Sequence, residues 1–222
     1  MSRGFQQMRS MRRRALSGLA VVALGALATP AFAQSAPTNL GAHGGWTAWQ
    51  GQDDYGKICF ISAVPQKSEP TQVNGKPIVR DPPHFLIIHR DKAPAVNPDG
   101  TAAKDANGNP KFRVVRNEVQ TLIGYPLQPT SDGFFHTAVI DGKAWNMKSI
   151  PDDAGTPIKD NEAAWLASQS DEAGFVAAMK AGKVLTINGT SIRGTKTTDT
   201  YSLAGVTAAI DDINKACPPP NG

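Results

Sequence analysis

Long hydrophobic runs are missing from this sequence. The longest apolar stretch, residues 15–28, has about 14 residues, whereas a helix that crosses a bilayer needs roughly 20. The first 33 positions contain five arginines, all before this stretch, and no acidic residue, and the small-residue site AFA stands at 31–33. This order predicts a cleavable secretory signal peptide over residues 1–33 and a mature chain that begins at Gln34. A retained signal anchor is the alternative.

An excess of positive charge is also missing once the signal is removed. Five of the 23 basic residues lie in the signal, which leaves 18 against 19 acidic residues in the mature part. The pI of 9.1 therefore belongs largely to the targeting segment. Nucleic-acid binding needs a basic patch on the folded part, so we expect no nucleic-acid partner, and we expect no transmembrane segment after signal cleavage.

Cysteine is scarce, because the chain has only Cys59 and Cys217. In an exported protein a single pair is most simply a disulfide. This bond would close a loop of 158 residues, for which the chain-entropy model gives at most about 5 kcal/mol of stabilisation. Two buried free thiols are the alternative.

Motifs for nucleophilic, phosphate-binding or metal chemistry are incomplete. Residues 189–194 (GTSIRG) miss the G-x-S-x-G elbow by one residue and lead into a predicted strand, so Ser191 is not expected to be a nucleophile. The same segment lacks the Gly-Lys-Ser/Thr order of a phosphate loop. His84 and His89, five residues apart on a strand, face opposite sides, and residues 105–109 (DANGN) lack the later glutamate of a calcium loop. We predict no catalytic, cofactor-binding or metal-binding residue.

Alternating and β-branched segments indicate a mostly β protein. Strands are predicted at 57–65, 84–90, 114–123, 134–140, 143–147, 184–188 and 195–201. Asp141-Gly142 is a strong signal for a hairpin turn. Residues 91–110, rich in proline, glycine and asparagine, predict a long exposed loop.

Helical segments are predicted around residues 161–167, at 171–181 and near the C-terminus. In the last of these, one stripe is formed by Leu203, Val206, Ile210, Ile213 and Cys217. We therefore expect this helix to dock on the sheet that contains Cys59 and to be linked to it by the Cys59–Cys217 disulfide. The predicted fold is a β-sandwich-like arrangement of antiparallel sheets with two or three helices. Its predicted boundaries are a flexible leader at 34–45, one domain at 46–217 and a tail at 218–222.

A polar, threonine-rich stretch follows residue 192. We predict a candidate contact surface formed by Arg193, Lys196, Thr198 and Asp199. The structural alternative is the solvated face of an edge strand, where lysine and threonine commonly prevent aggregation.

Two stretches resemble the invasion-associated locus B family of alphaproteobacterial envelope proteins. One is residues 116–126 (RNEVQTLIGYP), and the other runs from 189 to 203 (GTSIRGTKTTDTYSL) and on to Cys217; the helix end at 178–182 (AMKAG) also fits. The resemblance covers most of residues 46–217, although the loop at 91–112 is longer than the family pattern.

The resemblance implies a β-rich periplasmic or surface-associated protein, from a family named for a role in host-cell invasion and virulence. It implies no reaction, and no catalytic residues are carried over. Our first hypothesis is a non-enzymatic binding or accessory module that contacts an envelope or host protein or glycan through a polar sheet face or the 91–112 loop. The rivals are an envelope-maintenance structural protein and an envelope enzyme with an unrecognised site.

Overall fold

A computed structural model describes residues 36–95, 101–130, 135–149 and 162–219, so the predicted signal peptide at 1–33 lies outside the described residues. The described ranges form thirteen strands and two α-helices, neither of which is long and apolar enough to cross a bilayer. The strands are β1 (Thr38–His43), β2 (Trp46–Asp53), β3 (Gly56–Ala63), β4 (Lys67–Glu69), β5 (Gln72–Val73), β6 (Lys76–Pro77), β7 (His84–Pro94), β8 (Phe112–Leu122), β9 (His136–Ile140), β10 (Lys143–Ser149), β11 (Ala163–Leu166), β12 (Val184–Thr190) and β13 (Lys196–Ser202). The helices are α1 (Glu172–Ala181) and α2 (Val206–Ala216).

Eleven of these strands form one antiparallel sheet in the order β1-β2-β3-β7-β8-β11-β10-β9-β12-β13-β4, and β5 and β6 form a separate hairpin. The predicted turn at Asp141 and Gly142 joins β9 to β10, and both residues have the positive φ angles that a tight hairpin turn requires. The mostly antiparallel β fold predicted from the sequence is confirmed.

The large sheet folds over itself. Phe85 on β7 and Tyr201 on β13 are separated by five intervening strands in the order, yet their ring centroids are only 5.9 Å apart. The indole Nε1 of Trp46 on β2 donates a hydrogen bond of 2.8 Å to the carbonyl of Ser202 on β13. The inner faces of distant strands therefore share one core, as they do in a sandwich.

Helix α2 covers one side of this core and is held there by the predicted disulfide. The five residues of its predicted apolar stripe are all buried. Cys59 on β3 and Cys217 at the end of α2 form the disulfide, with Cα atoms 6.1 Å apart. Lys57 donates to the carbonyl of Ala216, and Arg116 donates to that of Pro218 at 2.9 Å. Two cations thus bind carbonyls at the C-terminal end of α2, where the helix dipole favours positive charge.

The prediction of a flexible leader at 34–45 is wrong for its described part, because residues 38–43 form β1 at one edge of the sheet. The strand pairs with β2 across a bulge near Gly41, and His43 binds the carboxylate of Asp212 on α2 at 2.7 Å. These partners are distant in sequence, and the bulge interrupts the alternation of side chains. Neither feature is visible in the local pattern.

The helix predicted around 161–167 is also wrong in its described part. Residues 163–166 (AAWL) form β11, which lies between β8 and β10. Alanine and leucine favour helix locally, but the backbone groups of the two neighbouring strands override this propensity. In the predicted 91–110 loop, β7 continues to Pro94, and the backbone amides of Asn107 and Asn109 donate to the Asp105 carboxylate in the turn.

Candidate binding cleft

A buried carboxylate fixes both ends of a projecting segment, residues 69–79, which we call the arm. Ser68, just before the arm, donates a hydrogen bond from Oγ to Oδ1 of Asp199 at 2.7 Å. Arg80, just after it, donates from Nη1 to Oδ2 of Asp199 at 3.0 Å and to the carbonyl of Ile123. Asp199 is 1% exposed and the Arg80 side chain 9% exposed, so the pair lies within the body of the protein. Both ends of the arm are therefore held by the contacts of Asp199 with Ser68 and Arg80, which we call the clamp.

The arm carries the β5–β6 hairpin away from the main sheet. Residues 69–77 are all exposed, and the two strands are joined by Asn74 and Gly75, whose φ angles of 52° and 73° match a tight hairpin turn. The hairpin has two residue pairs, Gln72 with Pro77 and Val73 with Lys76. A two-stranded ribbon of this size gains little stability by itself, so its position depends on the clamp at its base.

The turn between β12 and β13 faces the arm, and the space between them is the candidate cleft. Ser191 forms an isolated bridge with Leu127, and its Oγ accepts hydrogen bonds from the backbone amides of Arg193 and Thr195 at 3.3 and 3.1 Å. The amide of Ile192 donates to the carbonyl of Pro126. The turn is thereby held against residues 124–128.

Glycine at position 189 allows close packing beneath this turn. A Cβ atom there would lie 2.6 Å from Cδ1 of Ile123 and 3.1 Å from the hydroxyl of Tyr125. Tyr125 shares a hydrogen bond of 2.7 Å with Thr197, and burial raises the pKa of its hydroxyl. The stretches 116–126 and 189–203, which carry the family resemblance, therefore meet at the floor of the cleft.

A cavity of about 680 Å³ lies between the arm and the turn. Its lining includes three apolar side chains that are exposed to solvent: Val73 at 38%, Val79 at 92% and Ile192 at 58%. Lys76 and Arg193 also line it, and neither forms an ion pair with any other residue in the described ranges. The cavity therefore has exposed apolar side chains and unpaired cations on both of its walls.

The predicted contact surface is divided by the structure. Arg193 is exposed and lines the cleft, whereas Lys196 is exposed and Thr198 is partly exposed outside it. Asp199 cannot belong to an exposed contact surface, because it is buried and paired with Arg80. The alternation of β13 turns Thr197, Asp199 and Tyr201 inward. Sequence reasoning missed Arg80 and the arm altogether.

Buried histidines in the described residues have structural partners. The Nδ1 of His136 accepts a hydrogen bond from the amide of Thr190, and its Nε2 lies 3.0 Å from the carbonyl of Gln128. His89 contacts Oδ1 of Asn117 at 3.2 Å. Burial lowers the pKa of both imidazoles, so the neutral form is favoured. Within the described ranges, no three His, Cys, Asp or Glu side chains converge as metal ligands.

Comparison with known proteins connects the region around the cleft to one family. The family model described as invasion associated locus B (IalB) protein matches residues 162–214. Among solved structures, the chain is similar to the crystal structure of invasion associated protein b from Bartonella henselae, with 14% identity and a TM-score of 0.43 over 82% of this chain and 98% of that chain. No curated protein matches this chain.

The family match spans β11 to most of α2 and includes the stretch 189–203 that carried the resemblance in the sequence. It also contains the turn that forms one wall of the cleft and the buried Asp199. The resemblance predicted from the sequence is confirmed over residues 162–214, which match the invasion associated locus B family model.

Proposed function

We propose that this chain is an exported, non-enzymatic binding or accessory protein of the cell envelope, and that the cleft between the arm and the turn after β12 is its contact surface. The observation that carries the proposal is the combination of exposed Val79 and Ile192 with unpaired Lys76 and Arg193 around one cavity. An apolar side chain exposed this far gains stability only when a partner covers it.

Two features support export. The signal peptide predicted at 1–33 would place the mature chain in an oxidising compartment, and the Cys59–Cys217 disulfide is a bond that persists in such compartments. Mass spectrometry of exported material should find a mature N-terminus at Gln34. A chain that retains Met1 would contradict this part of the proposal.

Binding is favoured over catalysis by the surroundings of Ser191. Its Oγ accepts hydrogen bonds from two backbone amides, and the Nδ1 of His136, a buried imidazole on β9, accepts one from the amide of Thr190. A nucleophilic serine needs a base within hydrogen-bonding reach. The same hydrogen bonds instead explain Ser191 as the residue that shapes the turn.

Site-specific photo-crosslinking tests the contact surface. We would replace Ile192 by p-benzoylphenylalanine and irradiate the mature protein with envelope extract, using the same replacement of Val184 as the matched control. Val184 is also an exposed aliphatic residue, at 42%, but it lies outside the cleft. We expect a discrete adduct from position 192 that weakens when Arg193→Ala is added, and none from position 184.

Equal labelling from both positions, or an adduct that is indifferent to Arg193→Ala, would show that the cleft is not a specific contact surface. In that case the envelope-maintenance alternative, in which the protein acts through its fold and stability, becomes the better account. Turnover of a substrate by the wild-type protein that Ser191→Ala abolishes would instead favour the enzyme alternative.

A further inference from the structure

Resting on the proposed function, we infer that the occupant of the cleft is an extended segment of another protein, in which an acidic side chain lies close to an apolar one. The inference comes from what lines the cavity and from what the arm's backbone offers. Glycans and acyl chains, the other ligand classes of a cell envelope, fit the same lining poorly.

A sugar ring needs a free aromatic face against which to stack. Among the described residues that line the cavity, Tyr125 is the one aromatic side chain, and it is 9% exposed. The guanidinium of Arg80 lies 5.7 Å from the centroid of its ring and covers it. The cleft therefore offers a sugar no stacking platform.

An acyl chain needs a continuous apolar channel, since a charged wall that loses its water without gaining a partner is costly. Ionisable residues recur along this cavity. They are Lys76, Arg80, Asp81, Glu162 and Arg193. Apolar groups alternate with these ionisable residues along the cavity. This lining suits a peptide ligand, whose side chains are both charged and apolar, better than an acyl chain, which is apolar throughout.

The arm also does not favour recognition by strand addition. Gln72 and Pro77 are opposite each other, while the pairs on either side carry the hydrogen bonds of the ribbon, as shown by the bond from Ile78 N to Thr71 O at 2.9 Å. The backbone of Pro77 therefore faces outward, and proline has no N–H to donate. Main-chain pairing along this edge is interrupted, so side chains must supply the specificity.

The side chains that remain available on the two facing walls are cationic and aliphatic, whereas the carboxylate of exposed Asp81 lies after the arm. Lys76 stands on the arm and Arg193 on the facing turn, each without a carboxylate partner in the described residues. Val79 lies at the end of the arm and Ile192 next to Arg193. A peptide ligand with an apolar side chain between the two walls would cover these aliphatic groups. A carboxylate close to that side chain in the ligand would at the same time neutralise the two cations.

Selection from a random octapeptide phage library tests this ligand class. The mature protein is the target, and the double variant Lys76→Ala, Arg193→Ala is used in counter-selection. We expect enriched sequences to carry Asp or Glu within two positions of Leu, Ile, Val or Phe. A selected peptide labelled with fluorescein should bind in an anisotropy titration roughly two- to fivefold more weakly to each single alanine variant, and about tenfold more weakly to Ile192→Ser.

The matched controls are Lys148→Ala, an exposed lysine on β10, and Val184→Ser, an exposed valine on β12. Both should leave the affinity unchanged. Binding should also weaken as salt is raised from 50 to 500 mM, because exposed charge pairs are screened. Changing the acidic residue of the selected peptide to Lys should abolish its binding.

Three results would overturn the inference: enriched peptides without acidic residues, peptides retained equally by the double variant, or binding of an N-acetylglucosamine hexamer or decanoate that Ile192→Ser removes. Any of these, together with a specific photo-adduct at position 192, would leave the cleft as the contact surface and reject the peptide ligand. Loss of that adduct as well would reject the proposed function itself.

Discussion

Asp199 and Arg80 form a nearly buried ion pair that joins β13 to the residue directly after the arm. The same carboxylate accepts a hydrogen bond from Ser68, directly before the arm. The side chain of Asp199 thus holds both ends of the arm, a segment that makes few contacts of its own. The position of one wall of the cleft follows from this pair.

We predict that Asp199→Asn destabilises the protein by about 3–5 kcal/mol, because a buried guanidinium loses its counter-charge. Urea denaturation followed by tryptophan fluorescence measures this loss. The control is Thr200→Val, a partly exposed neighbour on the same strand. We expect that control to change the free energy of unfolding by less than about 0.5 kcal/mol.

The same substitution should release the base of the arm. Trypsin cleaves after arginine, and we expect the bond from Arg80 to Asp81 to be protected because the Arg80 side chain is held at Asp199. Under native conditions we expect cleavage at this bond to be faster in Asp199→Asn than in wild type, and unchanged in Thr200→Val. Equal cleavage rates would mean that Asp199 stabilises the fold without positioning the arm.

A second prediction concerns the C-terminal end of α2. Arg116 donates from Nη1 to the carbonyls of Arg90 and Val115 and from Nη2 to Asp91 and to the carbonyl of Pro218. Charged hydrogen bonds of this kind contribute about 1.5–3 kcal/mol, so Arg116→Ala should reduce the free energy of unfolding by that amount.

Arg116→Lys separates charge from geometry. Lysine keeps the positive charge but cannot reproduce the planar fork that reaches four acceptors, so we expect it to restore less than half of the lost stability in the same urea experiment. Arg193→Ala is the matched control, because that arginine is exposed and forms no ion pair in the described residues. Full rescue by lysine would contradict the geometric role.

The parts of the fold that could be predicted from the sequence are those set by local periodicity. The stripe on α2 follows the helical period and ends at Cys217, which also placed the disulfide partner on the core side. The Asp141-Gly142 turn is set by the φ angles those residues tolerate. Both predictions needed only residues a few positions apart.

The clamp could not be predicted, because Ser68 and Arg80 are 131 and 119 residues away from Asp199. Sequence alone showed Asp199 as one charge in a polar strand, and the alternation of β13 leaves open which face is buried. In the same way, β1 and β11 are strands because of the neighbours they pair with, and their own sequences give no strand signal. The arm could not be predicted for the same reason; Arg193, which the sequence analysis had named as a candidate contact residue, lies on the facing wall.

A third prediction tests the disulfide. Closing a loop of 158 residues stabilises the protein by at most about 5 kcal/mol, so reduction should lower the melting temperature of the wild-type protein. The variant with Cys59→Ala and Cys217→Ala should melt at the same temperature with and without reductant. If wild type and variant differ equally under both conditions, the cysteines contribute through packing and not through the bond.

A fourth prediction concerns pH. Burial, reinforced by the carboxylate of Glu118, raises the pKa of Glu172 at the start of α1 to about 7, while the guanidinium of Arg113 acts in the opposite direction. In the unfolded chain a glutamate has its ordinary pKa, near 4.5. Between these two values the folded protein keeps a proton that the unfolded chain has released. The contribution of Glu172 to stability is therefore complete below pH 4.5 and is lost as the pH rises towards 7.

Glu172→Gln should remove this dependence, because the amide stays neutral at every pH. Relative to wild type, we expect the variant to gain about 1–2 kcal/mol in free energy of unfolding at pH 8. The gain should be small at pH 5, because in the folded wild-type protein the side chain is already largely protonated at that pH. Urea denaturation at the two pH values measures the difference, with exposed Glu69→Gln as the control. Glu118→Gln should shift the same transition to lower pH, because it removes the neighbouring negative charge. A stability difference that is identical at pH 5 and pH 8 would show that Glu172 is ionised in the folded protein throughout this range.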